Sequence, residues 1–218
     1  MSWKNDQVSR AETEKIIGLA KSVLDVEGDF VELGCYKGDT SLLLAEVVYE
    51  YNRGLLVEKS VDKVVEEVWK SGGKDVEETT GEKVRKRLWI YDSFEGLPEK
   101  RLEDESVLGE AFRAGELGVT KREVKERFLR AGLPVPVIKK GWFADLTGDE
   151  MPEKIALAFL DGDFYESIRD SLRLVASRIS SGGVLIVHDY TNPALPGVKK
   201  AVDEWLKRQN VDYQIVLL

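Results

Sequence analysis

Five places along the chain carry side chains that could do chemistry. They are Glu32 with the loop Gly34-Cys35-Tyr36-Lys37-Gly38, Asp92-Ser93, Gly141-Trp142-Phe143-Ala144-Asp145, Asp161-Gly162-Asp163 and His188-Asp189. Two or three carboxylates beside one imidazole make a site for a hard divalent cation, and a carboxylate in such a group can also serve as a general base. The paired glycines would let the backbone turn tightly against a ligand, with helix N–H groups just beyond. The loop is not G-x-G-x-x-G, because Tyr36 stands where a second glycine is needed, and it lacks the Gly-Lys-Ser/Thr ending of a phosphate-binding loop. Dinucleotide and triphosphate ligands are therefore disfavoured. A nucleoside fits better, since a carboxylate such as Asp92 can accept both ribose hydroxyls. Each residue also has a plainer reading. Asp and Gly make turns and helix caps, a lone histidine can be a satisfied core residue, and Cys35 is a small buried side chain or a backbone contact to ligand rather than a redox group.

What separates the two readings is where these residues fall. Apolar periodicity gives a helix over about 9–25, then a strand at Asp29–Leu33 and a helix over Asp39–Tyr51. A strand follows at Leu88–Tyr91, a helix at Lys121–Ala131 and strands at Val135–Ile138 and Ile155–Leu160. The series closes with a helix over Tyr165–Ile179, a turn at Ser180–Gly183, a strand at Val184–Val187, a helix over Gly197–Gln209 and a strand at Tyr213–Leu218. Strands alternating with helices of this length imply βαβ units and a parallel sheet. Ile155–Leu160 and Val184–Val187 are apolar without alternation, as strands covered on both faces are. Each polar group above then falls at the carboxyl end of a strand, the edge on which open parallel sheets bind ligands. Turn chemistry explains any one of them; it does not explain all five.

Two segments break the rhythm. Residues 52–87 are mostly charged and contain Gly72-Gly73, which reads as a helical surface insertion, and residues 98–120 are irregular and charged, a candidate lid. No second apolar core is visible, so 1–218 reads as one domain with two excursions. With 218 residues and 43% hydrophobic content the chain can bury a real core. The net charge of −8, from 32 basic and 40 acidic residues, argues against nucleic acid as a partner. No apolar run reaches membrane-spanning length and the N-terminus has no apolar signal region. One cysteine excludes an intrachain disulfide and fits a cytoplasmic protein, and one histidine excludes a multi-histidine zinc site.

Several blocks together resemble the macrocin O-methyltransferase (TylF-type) family. They are Val31–Gly38, Asp92-Ser93-Phe94-Glu95-Gly96-Leu97-Pro98, Gly141–Asp145, Leu160–Ser167, and Ser181-Gly182-Gly183 with His188-Asp189-Tyr190 and Leu195-Pro196-Gly197. The resemblance runs from about residue 26 to 209. It implies an α/β fold, the Rossmann-like class I methyltransferase three-layer αβα sandwich with a mostly parallel sheet. The final antiparallel strand of that fold would be missing or shortened here. It also implies S-adenosylmethionine (SAM) and a divalent metal, Mg2+ first, with Mn2+ or another ion as alternatives. On this resemblance Glu32, Gly34 and Gly38 would line the methionine part of SAM, with Cys35 and Tyr36 between them. Asp92 would hold the ribose with Ser93 beside it, and Trp142 and Phe143 would lie near the adenine. Asp161, His188 and Asp189 would fall on the metal-ligand positions, with Asp161 also bordering SAM. Asp163, and Asp161 beside it, would be the catalytic carboxylates, Asp163 as general base or as a further ligand. His188 stands where the family has Asp, and imidazole suits manganese, iron or zinc better than magnesium. The insertion at 52–87 lies outside the family pattern.

The expected reaction is transfer of the SAM methyl group to a hydroxyl of a small-molecule acceptor, a sugar, diol or catechol-like compound, with no nucleic acid or membrane partner. A homodimer is compatible with it. Two other readings stand beside this one: a metal-independent methyltransferase, and a non-catalytic SAM-binding module using 52–87 as an interaction arm.

Overall fold

The computed structural model describes residues 7–69, 85–108, 112–208 and 211–218. Six strands form one sheet: β1 (Asp29–Leu33), β2 (Leu88–Asp92), β3 (Val137–Lys140), β4 (Ile155–Leu160), β5 (Ile179–Val187) and β6 (Gln214–Leu217). Their order is β3-β2-β1-β4-β5-β6 and every pairing is parallel. The order reverses between β1 and β4, which makes their carboxyl ends the switch point where a ligand crevice opens. β6 lies directly beside β5 in parallel register, Val184 opposite Gln214, so among the described residues no antiparallel strand closes the sheet.

Helices cover both faces. Ile16 and Ala20 of α1 (Arg10–Ser22), Leu44 and Val48 of α2 (Asp39–Trp69) and Val124 and Phe128 of α3 (Lys121–Ala131) pack with Phe30, Ile90 and Phe159 on one side. Ile168 and Leu172 of α4 (Tyr165–Val175) and Val198 and Val202 of α5 (Pro196–Leu206) pack with Val31, Leu33, Leu160 and Val187 on the other. This is the three-layer αβα sandwich expected from the sequence. β4 is buried at every position, and so is β5 over Val184–Val187, the burial that explains their unbroken apolar runs.

Several elements differ from their sequence expectation: α4, expected to run to Ile179, ends at Val175 and Ile179 opens β5, and three further differences have a local reason. The helix expected to stop at Tyr51 continues to Trp69, so the first part of the 52–87 segment prolongs α2. Nothing stops it there: an added Cβ on Gly54 would meet no neighbour. Asn52 is tied to the far end of the segment, its Nδ2 donating to the Lys86 carbonyl at 2.8 Å and its Oδ1 accepting the Lys86 N–H at 2.9 Å. Residues 70–84 of that segment lie outside the described residues. β3 begins at Val137 rather than Val135, because Pro134 and Pro136 flank Val135 and Pro136 has no N–H for the ladder. Ser180–Gly183, expected as a turn, forms the first half of β5, where a register shift opposite Ile155–Leu157 is absorbed by Gly182 at φ +78°.

Segment 98–120 is anchored at its base. Asp104, 2% exposed, accepts the Tyr165 N–H at 2.7 Å, so it caps α4 from outside that helix. Ser106 donates to the Pro193 carbonyl and Lys200 pairs with Glu103 at 3.2 Å. No helix among the described residues is long and apolar enough to cross a membrane.

Candidate active site

Hydrogen bonds between neighbouring strand ends bring the polar residues together. The Gly34 N–H donates to the Tyr91 carbonyl at 2.9 Å and the Asp161 N–H to the Leu33 carbonyl at 2.9 Å. The His188 N–H donates to the Leu160 carbonyl at 2.9 Å, and the Gly141 N–H to the Asp92 carbonyl at 3.0 Å. Above this edge lies a cavity of about 430 Å³, within the usual range for small-molecule sites. Gly34, Tyr36, Asp92, Ser93, Trp142, Phe143, Asp161, Asp163, His188 and Asp189 all line it. Glu32, Cys35 and Gly38 do not; they sit behind the wall. Gln7, Arg101, Leu117, Glu166 and Arg169 also line the cavity without any sequence signal having singled them out. Arg101 and Arg169 are each held by carboxylates, Arg101 by Glu166 at 3.0 Å and Arg169 by Asp170 at 3.1 Å.

Backbone strain concentrates here. Six non-glycine residues among those described have positive φ, and four of them, Tyr36, Leu117, Asp163 and Asp189, line this cavity. Such conformations cost about 1–3 kcal/mol each and persist where the surroundings over-determine them.

Asp92 ties two elements into one rim. Its Oδ2 accepts the N–H groups of Cys35 at 2.9 Å and Tyr36 at 3.4 Å, and its Oδ1 accepts that of Phe94 at 2.7 Å. The carboxylate thus fixes the glycine loop against the end of β2 and still borders the cavity. Cys35 is 7% exposed, and burial, with the nearby charges of Asp92 and Glu32, pushes its thiol up; it stays a neutral thiol packed under the loop.

At the ends of β4 and β5, Asp161, His188 and Asp189 each offer one ligand atom within 4.8 Å of the others. His188 Nδ1 lies 2.9 Å from Asp161 Oδ1 and 3.0 Å from Asp189 Oδ2. Burial works against the imidazolium, but hydrogen bonds to both carboxylates and their charges overcome it, and the His188 pKa is pushed up to about 11. The donor set, two carboxylates and one imidazole on fixed strand ends, fits a divalent cation. Asp163 stands apart: it lines the same cavity yet accepts no hydrogen bond from the described residues. Burial first, then the charges of Asp161 and Asp189, push its carboxyl well above the usual range.

Glu32 is 1% exposed and accepts a hydrogen bond from the Ser41 hydroxyl of α2. Burial, reinforced by the charges of Asp161, Asp92 and Asp39, pushes its pKa up to about 8, although the Ser41 bond opposes this. The unfolded chain releases this proton near 4.5, while the native state keeps it to about pH 8. Folding therefore takes up a proton between those values, and this group's contribution to stability falls as pH rises through that window, by up to about 4 kcal/mol. Glu32→Gln keeps an acceptor for Ser41 and removes the titration. Denaturant unfolding at pH 5, 6.5 and 8 should show the native chain losing stability more steeply than the variant; equal slopes would exclude Glu32 as the source.

The profile of the macrocin O-methyltransferase (TylF) family matches residues 61–217, well over half of the chain. The chain belongs to this family. The match starts inside the 52–87 segment, so most of that segment, expected to lie outside the family pattern, belongs to it. Among characterised relatives, the chain is 33% identical over 191 residues to the 8-demethyl-8-(2,3-dimethoxy-alpha-L-rhamnosyl)-tetracenomycin-C 4'-O-methyltransferase of Streptomyces olivaceus, covering 85% of this chain and 60% of that protein. It is 27% identical over 207 residues to the demethyldecarbamoylnovobiocin O-methyltransferase of Streptomyces niveus, covering 89% of this chain and 64% of that one. It thus spans somewhat under two thirds of the length of each. Among solved structures, the O-methyltransferase NovP superposes with a TM-score of 0.66 at 25% identity, over 94% of this chain and 75% of NovP. The calicheamicin methyltransferase CalS11, at 18% identity and a TM-score of 0.60 over 89% of this chain and 70% of its own, shares the fold.

In this TylF-family chain the cavity also has an N-terminal wall that the sequence expectations did not include. Gln7 lines the cavity, and Glu12 on the first turn of α1 approaches His188 Nε2 at 4.0 Å. The available signal was Ser9-x-x-Glu12, a capping box that fixes where α1 starts. It says nothing about which strand end that helix start faces.

Proposed function

We propose that the protein is a SAM-dependent O-methyltransferase acting on a hydroxyl of a small sugar or vicinal-diol acceptor, with a divalent cation held by Asp161, His188 and Asp189. The observation that carries this reading is the single cavity in which Asp92, the Trp142-Phe143 wall, the Asp161–His188–Asp189 group and Asp163 converge. Family membership supports it, as do the relatives named for methylation of sugar-bearing antibiotics.

SAM supplies an activated methyl group, so alignment for in-line attack is the main task left to the protein. A divalent cation, which Asp161, His188 and Asp189 would hold, would supply Lewis-acid activation of the acceptor hydroxyl. Asp92 and Ser93 orient the nucleoside end of the cofactor, and Trp142 and Phe143 offer faces for the adenine. Gly34 leaves the loop backbone close to the methionine end, and Glu32, Cys35, Tyr36 and Gly38 set the shape of that loop. Asp163 takes the proton from the attacking hydroxyl at its carboxylate, because it faces the cavity with no donor of its own. Leu97 and, from the segment at 98–120, Pro98, Arg101 and Leu117 border the opening and exclude water.

One observation favours a metal-free variant of this reading: His188 already stands between both carboxylates and balances their charge. Chelation separates the two. The purified protein, incubated with labelled SAM and a panel of sugars, glycosides and catechols, should methylate at least one vicinal diol, stop after exhaustive EDTA, and recover on adding back Mg2+ or Mn2+. Undiminished turnover after chelation would select the metal-free mechanism. SAM binding with no turnover on any member of the panel would select a binding module.

A further inference from the structure

We propose that Glu12 is the positioning carboxylate of His188: it holds the imidazole by Nε2 and so commits Nδ1 to the Asp161–Asp189 side. The inference rests on reading that trio as a cation site, and it adds a residue from a different part of the chain.

The imidazole lies between carboxylates at both nitrogens. Nδ1 faces Asp161 Oδ1 at 2.9 Å and Asp189 Oδ2 at 3.0 Å, and Nε2, across the ring, faces Glu12 Oε1 at 4.0 Å. The ring is 5% exposed and rests on Phe159, with centroids 5.9 Å apart. Glu12 is itself held. Its Oε2 accepts the Ser9 N–H at 2.9 Å, and Ser9 Oγ accepts the Glu12 N–H at 3.3 Å, the two halves of a capping box. With one oxygen spent on the helix cap, the other is left facing His188. The 4.0 Å separation is an ion-pair distance, longer than a hydrogen bond. A histidine that ligates through one nitrogen carries its proton on the other, and a carboxylate there fixes both tautomer and ring orientation. Among the described residues Glu12 is the carboxylate in reach of Nε2. Ile16 and Ala20, fully buried, and Val8, 4% exposed, hold the start of α1 in place.

His188 is the sole histidine of the chain, so its two ring nitrogens can be read without assignment after 15N-histidine labelling. Glu12→Gln keeps the length and the capping geometry, since Gln serves in a capping box; Ser9→Ala weakens the cap alone. In the metal-free protein the Nε2–H proton should exchange slowly with solvent in the native chain and in Ser9→Ala, and fast in Glu12→Gln. With Mg2+ present the native chain should carry its proton on Nε2 and none on Nδ1. Calorimetry should show the Mn2+ dissociation constant rising about 10–100-fold in Glu12→Gln, the scale for losing the outer partner of a ligating histidine, and unchanged in Ser9→Ala. Identical exchange and identical Mn2+ affinity in the native chain and Glu12→Gln would overturn the assignment. If the native chain binds no Mn2+, the cation reading fails, and the metal-free exchange rates still decide the role of Glu12.

Discussion

Replacing Asp161 or Asp189 by Asn is expected to lower methyl transfer by at least about 10³-fold while SAM affinity stays within a few-fold of native. The size follows from two losses. The first is acidification of the acceptor hydroxyl by a held cation, worth several kcal/mol, and the second is general base catalysis, worth about 10²–10⁴-fold when its geometry is disturbed. Neither substitution should unfold the protein, because His188 keeps the other carboxylate: Asp161 and Asp189 approach the same Nδ1 from two strand ends. In Asp189→Asn, Asn192, whose Nδ2 donates to Asp189 Oδ1 at 2.8 Å, can still bond to the amide oxygen. Asp163→Asn should lower turnover as strongly and leave Mn2+ affinity nearly intact. That split between turnover and affinity is the measurement that separates base from ligand. His188→Asp should shift preference toward Mg2+, since carboxylate oxygen is the harder donor. Native-like turnover in both Asn variants would remove the cation from the mechanism and leave Asp163 with the cofactor loop as its minimal machinery.

The strand ends were legible because a buried parallel strand is written almost wholly in its own residues. Ile155–Leu160 is apolar throughout and stops at Asp161-Gly162-Asp163, and it is a strand with those bounds in the structure. Asp29–Leu33 before the glycine loop is likewise a strand with the expected bounds, although Asp29 and Glu32 interrupt its apolar run. Lys121–Ala131 was readable for a different reason: Thr120 and Glu123 close a capping box at one end, and Gly132 in the left-handed region ends the helix at the other. What the sequence does not contain is the outcome of long-range pairing. Asp104 looks like any loop aspartate, yet it is buried and caps α4 from 61 residues away. Asp92 reads as a ribose acceptor, and the structure shows that it also holds the backbone of the glycine loop, through N–H groups that every residue carries and no sequence pattern marks. Glu12 shows the same limit. Its spacing from Ser9 fixes a helix start, while its approach to His188 depends on how α1 packs across the sheet edge.

Gly34→Ala should be the most damaging small substitution in the site, and Gly38→Ala is its control. Both glycines have positive φ, +89° and +81°, so alanine at either costs about 1–3 kcal/mol of backbone strain. They differ in the space around them. A Cβ on Gly38 would meet Val124 Cγ1 at 3.4 Å and Ser41 Oγ at 3.6 Å, ordinary contacts. A Cβ on Gly34 would overlap the carbonyl oxygen of Asp161 and stand 2.8 Å from its carbonyl carbon. Those are backbone atoms just past the end of β4 at the switch point, and they cannot turn aside as a side chain can. Relief requires β1 and β4 to separate where Asp161 N–H bonds the Leu33 carbonyl at 2.9 Å. Overpacking of this kind adds about 1–3 kcal/mol, for a total of roughly 2–6 kcal/mol. In a domain of this size that lowers the melting temperature by about 10 °C. The displaced carbonyl belongs to the residue that also serves the His188 trio, so SAM affinity and Mn2+ affinity should fall together in Gly34→Ala. In Gly38→Ala the melting temperature should drop by only a few degrees and Mn2+ affinity should hold. Equal losses in the two variants would show that backbone conformation alone sets the requirement for glycine, and that the close approach of β1 to Asp161 does not shape the site.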